Sequence, residues 1–106
     1  MRKKREILAI AKKYKTILDD IFDEVEIRLF GSYYKGTANK WSDIDLAVIS
    51  PNFKDIPYIL SLKILHKLRL KVSDEIEALP MTREDLISPP LGSIEYEISK
   101  HSKRLL

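Results

Sequence analysis

Four residues in one stretch of this chain have the types and spacing for phosphate and metal chemistry. They are Gly31 and Ser32 and, after ten intervening residues, Asp43 and Asp45. Asp43-Ile44-Asp45 opens the run DIDLAVIS, whose aliphatic and β-branched content predicts a strand. Alternate side chains of a strand share a face, so the two carboxylates point one way while Ile44, Leu46 and Val48 point the other. Their Cα atoms then lie about 6.6 Å apart, close enough for both acids to reach one divalent ion or to straddle two. Bare carboxylates side by side repel and raise each other's pKa, so a fold that aims both at one spot needs a cation there. Gly31 ends an apolar run; without a Cβ it permits a tight exit turn and a ligand close to the backbone. Ser32 is expected as the N-cap of a short helix, its hydroxyl and the following free N–H groups facing the same space. Such a helix start attracts phosphate. Donors for phosphate oxygens beside acids for a bridging metal describe a metal–triphosphate site. Either half alone is commonplace, but four such fixed positions coincide by chance in about one chain of this length per thousand.

The elements that must hold these residues follow from hydrophobic periodicity. Arg2 to about Phe22 reads as an amphipathic helix, with Ile7, Ile10, Tyr14, Ile17, Leu18 and Ile21 at helical spacing. Glu24–Phe30 reads as a half-buried strand, Val25, Ile27 and Leu29 alternating with Glu26 and Arg28, and it delivers Gly31. Tyr33 to Trp41 is a short helix and loop, in which Lys35 and Lys40 lie near enough in sequence to contact a triphosphate. Tyr33, Tyr34 and Trp41 are expected to pack in the core or loop; stacking on a base or a partner is the alternative. Pro51 and Pro57 bracket a loop, and a helix begins near Pro57, capped by Asp55 or a neighbour. Ile59, Leu60, Leu62, Ile64, Leu65, Leu68 and Leu70 make that helix apolar over more than one stripe, with room to pack on another chain as well as on the sheet. His66 reads as a solvated residue of the helix. Ser73–Pro80 is the third strand, placed parallel to the Asp-x-Asp strand by a right-handed crossover, and Glu75 and Glu77 share one of its faces. Thr82 opens a short helix with a capping-box-like acid at Asp85. After Pro89-Pro90, Gly92–Leu106 reads as a last helix with a solvated basic tail.

Composition narrows the class. A chain of 106 residues, 44% hydrophobic, is expected to form a single domain spanning 1–106, with no room for a separate substrate domain. It has no cysteine, so neither a disulfide framework nor a thiolate metal site exists. No apolar stretch has the length of a membrane span, and the apolar run after MRKKRE is too short for a signal peptide. The expected location is the cytoplasm. The net charge of +3 does not require nucleic acid as the main partner. An EF-hand is excluded because the later oxygen ligands and central glycine are missing after Asp45, and no Walker-type loop occurs.

GSYYKGTANKWSDIDLAVIS resembles the Gly-Ser-x10-Asp-x-Asp signature of the DNA polymerase beta-type nucleotidyltransferase superfamily, and most of all its minimal nucleotidyltransferase group. Lys35, Gly36 and Ser42 match further positions of that group, with Lys35 standing where arginine is commoner. The resemblance runs from the leading helix to the third strand, where the family's third acid falls on Glu77 rather than Glu75; aspartate is commoner there. It implies an α/β (α+β) fold with a small mixed sheet of three or four strands packed by helices. It also implies a two-metal Mg²⁺ site on Asp43, Asp45 and Glu77, with ATP as donor and its phosphates held by Gly31, Ser32, Lys35 and Ser42. Minimal proteins of this group are typically antitoxins paired with a HEPN-domain toxin, and transfer AMP to a tyrosine of that toxin. Two other functions remain open: transfer to a small molecule or an RNA end, and inhibition of a partner by binding alone. For the catalytic reading, neutralising either aspartate abolishes activity without unfolding the chain, and Asp43→Asn raises the metal-free melting temperature.

Overall fold

Helix α1 (Lys4–Asp19) turns Ile7, Ala11, Tyr14 and Leu18 inward at the three- and four-residue spacing of one helix face. The computed structural model describes all 106 residues. The helix stops at Asp19, short of the expected Phe22, so Ile21 is carried into solvent rather than onto the apolar face. Phe22 is buried past the helix end, its ring 4.8 Å from that of Phe53.

Four strands follow: β1 (Glu26–Phe30), β2 (Ile44–Ile49), β3 (Ile76–Met81) and β4 (Lys103–Arg104), in the spatial order β3-β2-β1-β4. The sheet is mixed, as expected: β2 and β3 run parallel, while β1 is antiparallel to both β2 and β4. A parallel pair needs a long crossover, supplied by a 3₁₀ turn (Pro51–Lys54) and helix α3 (Tyr58–Arg69). Asp55 does not cap α3; it closes the 3₁₀ turn instead, its N–H donating to Asn52 O. Ser50 Oγ accepts from Asn52 N at 3.3 Å to cap the 3₁₀ turn, and α3 starts after Pro57 with no side-chain cap.

Each face of the sheet is covered. Ile27, Ile44, Leu46, Val48, Ile76 and Ala78 pack with α1 and α3 into the main core. There the Tyr14 hydroxyl donates to the carbonyl of Leu65 (2.9 Å), tying α1 to α3, and burial pushes the phenol's pKa upward. Phe30, Ala47, Ile49 and Met81 form a second cluster with Ile98 on the other face. Helices α4 (Arg83–Ile87) and α5 (Ile94–Lys100) stand on that side. Thr82 caps α4 through the expected box: Thr82 N donates to Asp85 Oδ2 (2.9 Å) and Asp85 N to Thr82 Oγ1 (3.4 Å).

Two expectations fail on this side. The helix predicted over Gly92–Leu106 ends at Lys100, and Lys103–Arg104 become β4, with Leu105 N donating to Ile27 O and Ile27 N to Leu106 O. Glu26, expected on a solvated face, is 5% exposed. Its carboxylate lies 3.0 Å from Arg28 on β1, 3.1 Å from Arg83 on α4 and 3.6 Å from Arg104 on β4, so sheet and second layer together supply its counter-charges.

One edge of the sheet is the short β4, the other β3. Ile44 N donates to Glu75 O and Ser50 N to Met81 O, so the odd-numbered residues of this segment bond to β2 and Pro80 turns its missing donor outward. Arg69 Nη1 donates to the carbonyls of Asp74 (2.5 Å) and Ile76 (3.1 Å) along the same edge. No helix is long and apolar enough to cross a membrane.

Candidate active site

Strand register places three sequence-predicted positions in one row. Asp45 on β2 faces Glu77 on parallel β3 and Phe30 on antiparallel β1, and Phe30 leads directly into Gly31. Gly31 opens helix α2 (Gly31–Lys35) at a φ of 70°, a left-handed conformation, and a Cβ there would collide with the Asp45 carboxylate. Glycine is thus required twice over, for the turn and for the close approach.

Asp45 is half-buried and Asp43, one residue before β2, is exposed. The Asp45 pKa is pushed up from 3.8 to about 6, first by burial, then by the charges of Asp43 and Glu77. The chain forms seven ion pairs, and Asp43, Asp45 and Glu77 take part in none. Glu75 is different: it accepts from Nε and Nη2 of Arg2 at 2.9 and 2.6 Å, so its charge is already matched.

No three His, Cys, Asp or Glu side chains stand close enough together to hold a metal ion by themselves. The donor set nonetheless suits one class of ion. Three carboxylates without counter-charge are hard oxygen ligands, and Mg²⁺ is usually held by one or two carboxylates completed by water and substrate phosphates rather than by a closed protein cage.

The remaining predicted residues surround this row. Ser32 is not an N-cap. The helix opens one residue earlier, at Gly31, so Ser32 lies within its first turn and Phe30 occupies the cap position with no side-chain bond. Lys35 sits in the last turn of α2, its Nζ 3.5 Å from Glu97 on α5. Ser42 Oγ accepts from Asn39 N (2.9 Å) and Asn39 Oδ1 from Trp41 N (2.8 Å), a folded turn that delivers the chain to Asp43. Tyr33 packs against the core and its hydroxyl accepts from Arg2 N at 3.0 Å. Trp41, by contrast, is 81% exposed, with the Lys40 ammonium 5.0 Å from its ring centre, so the expected packing holds for Tyr33 and fails for Trp41.

Sequence reasoning missed what flanks Glu77. An open cavity of about 380 Å³ is lined by Glu77, Ala78, Leu62, Lys63 and His66. His66 is exposed, as expected, but it shares this cavity with the acid. The helical spacing of Leu62 and His66 was the available signal; the neighbouring strand that gives it meaning was not visible locally.

Known proteins resemble this chain in sequence and in fold. Residues 11–104 match the family described as nucleotidyltransferase domain. The chain is 34% identical over 82 residues to protein adenylyltransferase MntA of Thermococcus cleftensis, covering 77% of this chain and 73% of that protein. It is 49% identical over 47 residues to probable protein adenylyltransferase MntA of Haemophilus influenzae, covering 44% and 39% respectively. A crystal structure described as a toxin–antitoxin with AMP-PNP superposes with a TM-score of 0.62 at 26% identity, over 90% of this chain and 71% of that one. Sequence, fold and relatives converge on one assignment: the chain belongs to the nucleotidyltransferase domain family.

Proposed function

We propose that residues 1–106 act as one catalytic domain that transfers AMP from ATP, with Mg²⁺, to a tyrosine hydroxyl of a HEPN-domain toxin in the cytoplasm. The observation that carries this reading is the row Glu77–Asp45–Gly31: acids with no protein counter-charge, set against a backbone turn that admits no side chain. Asp43 and Asp45 would hold the metal, with Glu77 completing the set, while Gly31, Ser32, Lys35 and Ser42 would border the triphosphate. Bound Mg²⁺ would stabilise the charge that builds on the incoming and leaving oxygens. The attacking hydroxyl passes its proton to Glu77 and its oxygen bonds to the α-phosphorus as the bond to the β-phosphate oxygen breaks and pyrophosphate departs. Beyond that, the domain contributes positioning and charge. The relatives named for protein adenylyl transfer, and the toxin–antitoxin structure with a nucleotide analogue, support this acceptor class.

Incubation with Mg²⁺ and α-labelled ATP, with and without the protein encoded beside this chain, tests it by intact mass. A gain of one or more AMP units on the neighbour that vanishes in Asp43→Asn is the expected result. Pyrophosphate release with an unmodified neighbour would redirect the activity to a small molecule or an RNA end. A tight complex without turnover, in wild type and mutant alike, would leave binding as the function.

A further inference from the structure

The acid row has two ends. At one, Gly31 and Ser32 border the space assigned above to the triphosphate; at the other, Glu77 on edge strand β3 borders the cavity between that edge and α3. A phosphoryl displacement runs with the attacking and leaving oxygens roughly in line, so a donor held at the Gly31 end receives its attacker from the Glu77 end. This argument rests on the nucleotidyl-transfer reading. What lies on α3 at that end then defines the acceptor.

Ile59, Leu62, Lys63, His66 and Leu70 recur at three- and four-residue intervals, so they form one stripe along α3 and just past its end. The stripe runs through the cavity that holds Glu77. Ile59 is 63% exposed, and Tyr58, Leu60 and Leu70 are also open to solvent, an apolar surface that the sheet does not absorb. No acid occurs between Pro57 and Ser73, while Lys63, Lys67, Arg69 and Lys71 do. Neither Lys63 nor Lys67 is ion-paired. His66 is hydrogen-bonded to Arg69. Arg69 Nε donates to its Nδ1 (3.1 Å) while Arg69 Nη1 grips the carbonyls of Asp74 and Ile76, linking the imidazole to the strand that carries Glu77.

We propose that this face of α3 is the acceptor-docking surface, that it takes an acidic and apolar polypeptide segment carrying the hydroxyl to be modified, and that His66 is its positioning residue beside Glu77. The apolar stripe seats the segment, Lys63 and Lys67 match its acids, and the imidazole lines the route by which the hydroxyl reaches the acid row. A polypeptide is favoured over RNA because the unpaired lysines flank aliphatic residues, a surface suited to side chains rather than to a phosphate backbone.

The test uses the full chain and the protein encoded beside it, with two readouts. Affinity is measured by calorimetry in Mg²⁺ and a non-hydrolysable ATP analogue; AMP transfer is measured at varied acceptor and varied ATP. The double change Ile59→Asp, Lys63→Glu lies at exposed positions and is expected to weaken the neighbour's binding and raise its KM at least tenfold, leaving the KM for ATP unchanged. His66→Ala is expected to lower kcat/KM for the acceptor about tenfold, with partial rescue by His66→Gln. Unchanged affinity in the double variant, absence of any complex with wild type, or an equal rise in the KM for ATP would overturn the proposal. So would displacement of the neighbour by single-stranded RNA that the double variant resists. If wild type binds the neighbour yet transfers no AMP, the function proposed above fails, while the affinity comparison still decides whether α3 is the docking face.

Discussion

Glu26 and Asp45 are acids at opposite ends of the β1–β2 pair, and the protein treats them in opposite ways. Glu26 is almost fully buried, and the neighbouring Arg28 and the distant Arg83 and Arg104 converge on it. Asp45 is half-buried, has no cationic partner, and instead faces the carboxylates of Asp43 and Glu77. A buried charge persists only when paired, so Glu26 belongs to the architecture. The arrangement at Asp45 costs stability in the absence of a ligand. Its uncompensated charge marks the end of the sheet where the counter-ion must come from outside.

The largest effect that tests this contrast is on catalysis. Asp45→Asn is expected to lower AMP transfer at least about 10³-fold, roughly 4 kcal/mol of transition-state stabilisation, while raising the metal-free melting temperature by roughly 4 °C. A lower metal-free melting temperature would mean that the acid row is not repulsive. Next comes Gly31→Ala, which meets both the left-handed φ and the Asp45 carboxylate; a loss of roughly 3 kcal/mol in denaturant titrations is expected. Gly36→Ala, left-handed but facing open space, serves as its control at about 1 kcal/mol. Glu26→Ala leaves Arg28 part-buried and unmatched and is expected to cost about 2 kcal/mol, with AMP transfer per folded molecule unchanged.

The smallest effect is the response to pH. Because the Asp45 pKa is raised in the folded state, the proton is bound more tightly there than in the unfolded chain. Its stabilising contribution is complete below about pH 4 and is lost as pH rises through about 6. Metal-free melting curves should show this decline, Asp45→Asn should flatten it, and Mg²⁺ bound with nucleotide should oppose it.

The acid row was legible in the sequence because its information is local. Period-two alternation fixed the common face of Asp43 and Asp45, and a glycine at a strand exit announced the turn. The parallel pairing of β3 followed from the intervening helix. What escaped depended on residues far away. Glu26 looked solvent-facing because alternation cannot reveal that α4 and α5 cover the second face, nor that Arg83 arrives from 57 positions downstream. Lys103–Arg104 read as a helix tail because a two-residue strand has no periodicity of its own and exists only through β1. Ser32 was misplaced by one residue, since the turn that starts α2 is made by Gly31 itself. Trp41 was expected to pack with Tyr33 and Tyr34 in the core or loop, yet it stands outward beside the turn around Asn39.

The outward-facing proline of β3 bears on how this protein survives at high concentration. An exposed sheet margin offers a row of unpaired donors and acceptors onto which a second chain can zip. Here Pro80 leaves a gap in the donors and Arg69 occupies the carbonyl of Ile76, so little more than the peptide groups around Ala78 remains to template growth. The margin beside Glu77 can stay uncovered without seeding fibrils, and a surface kept open for chemistry need not become one for self-assembly.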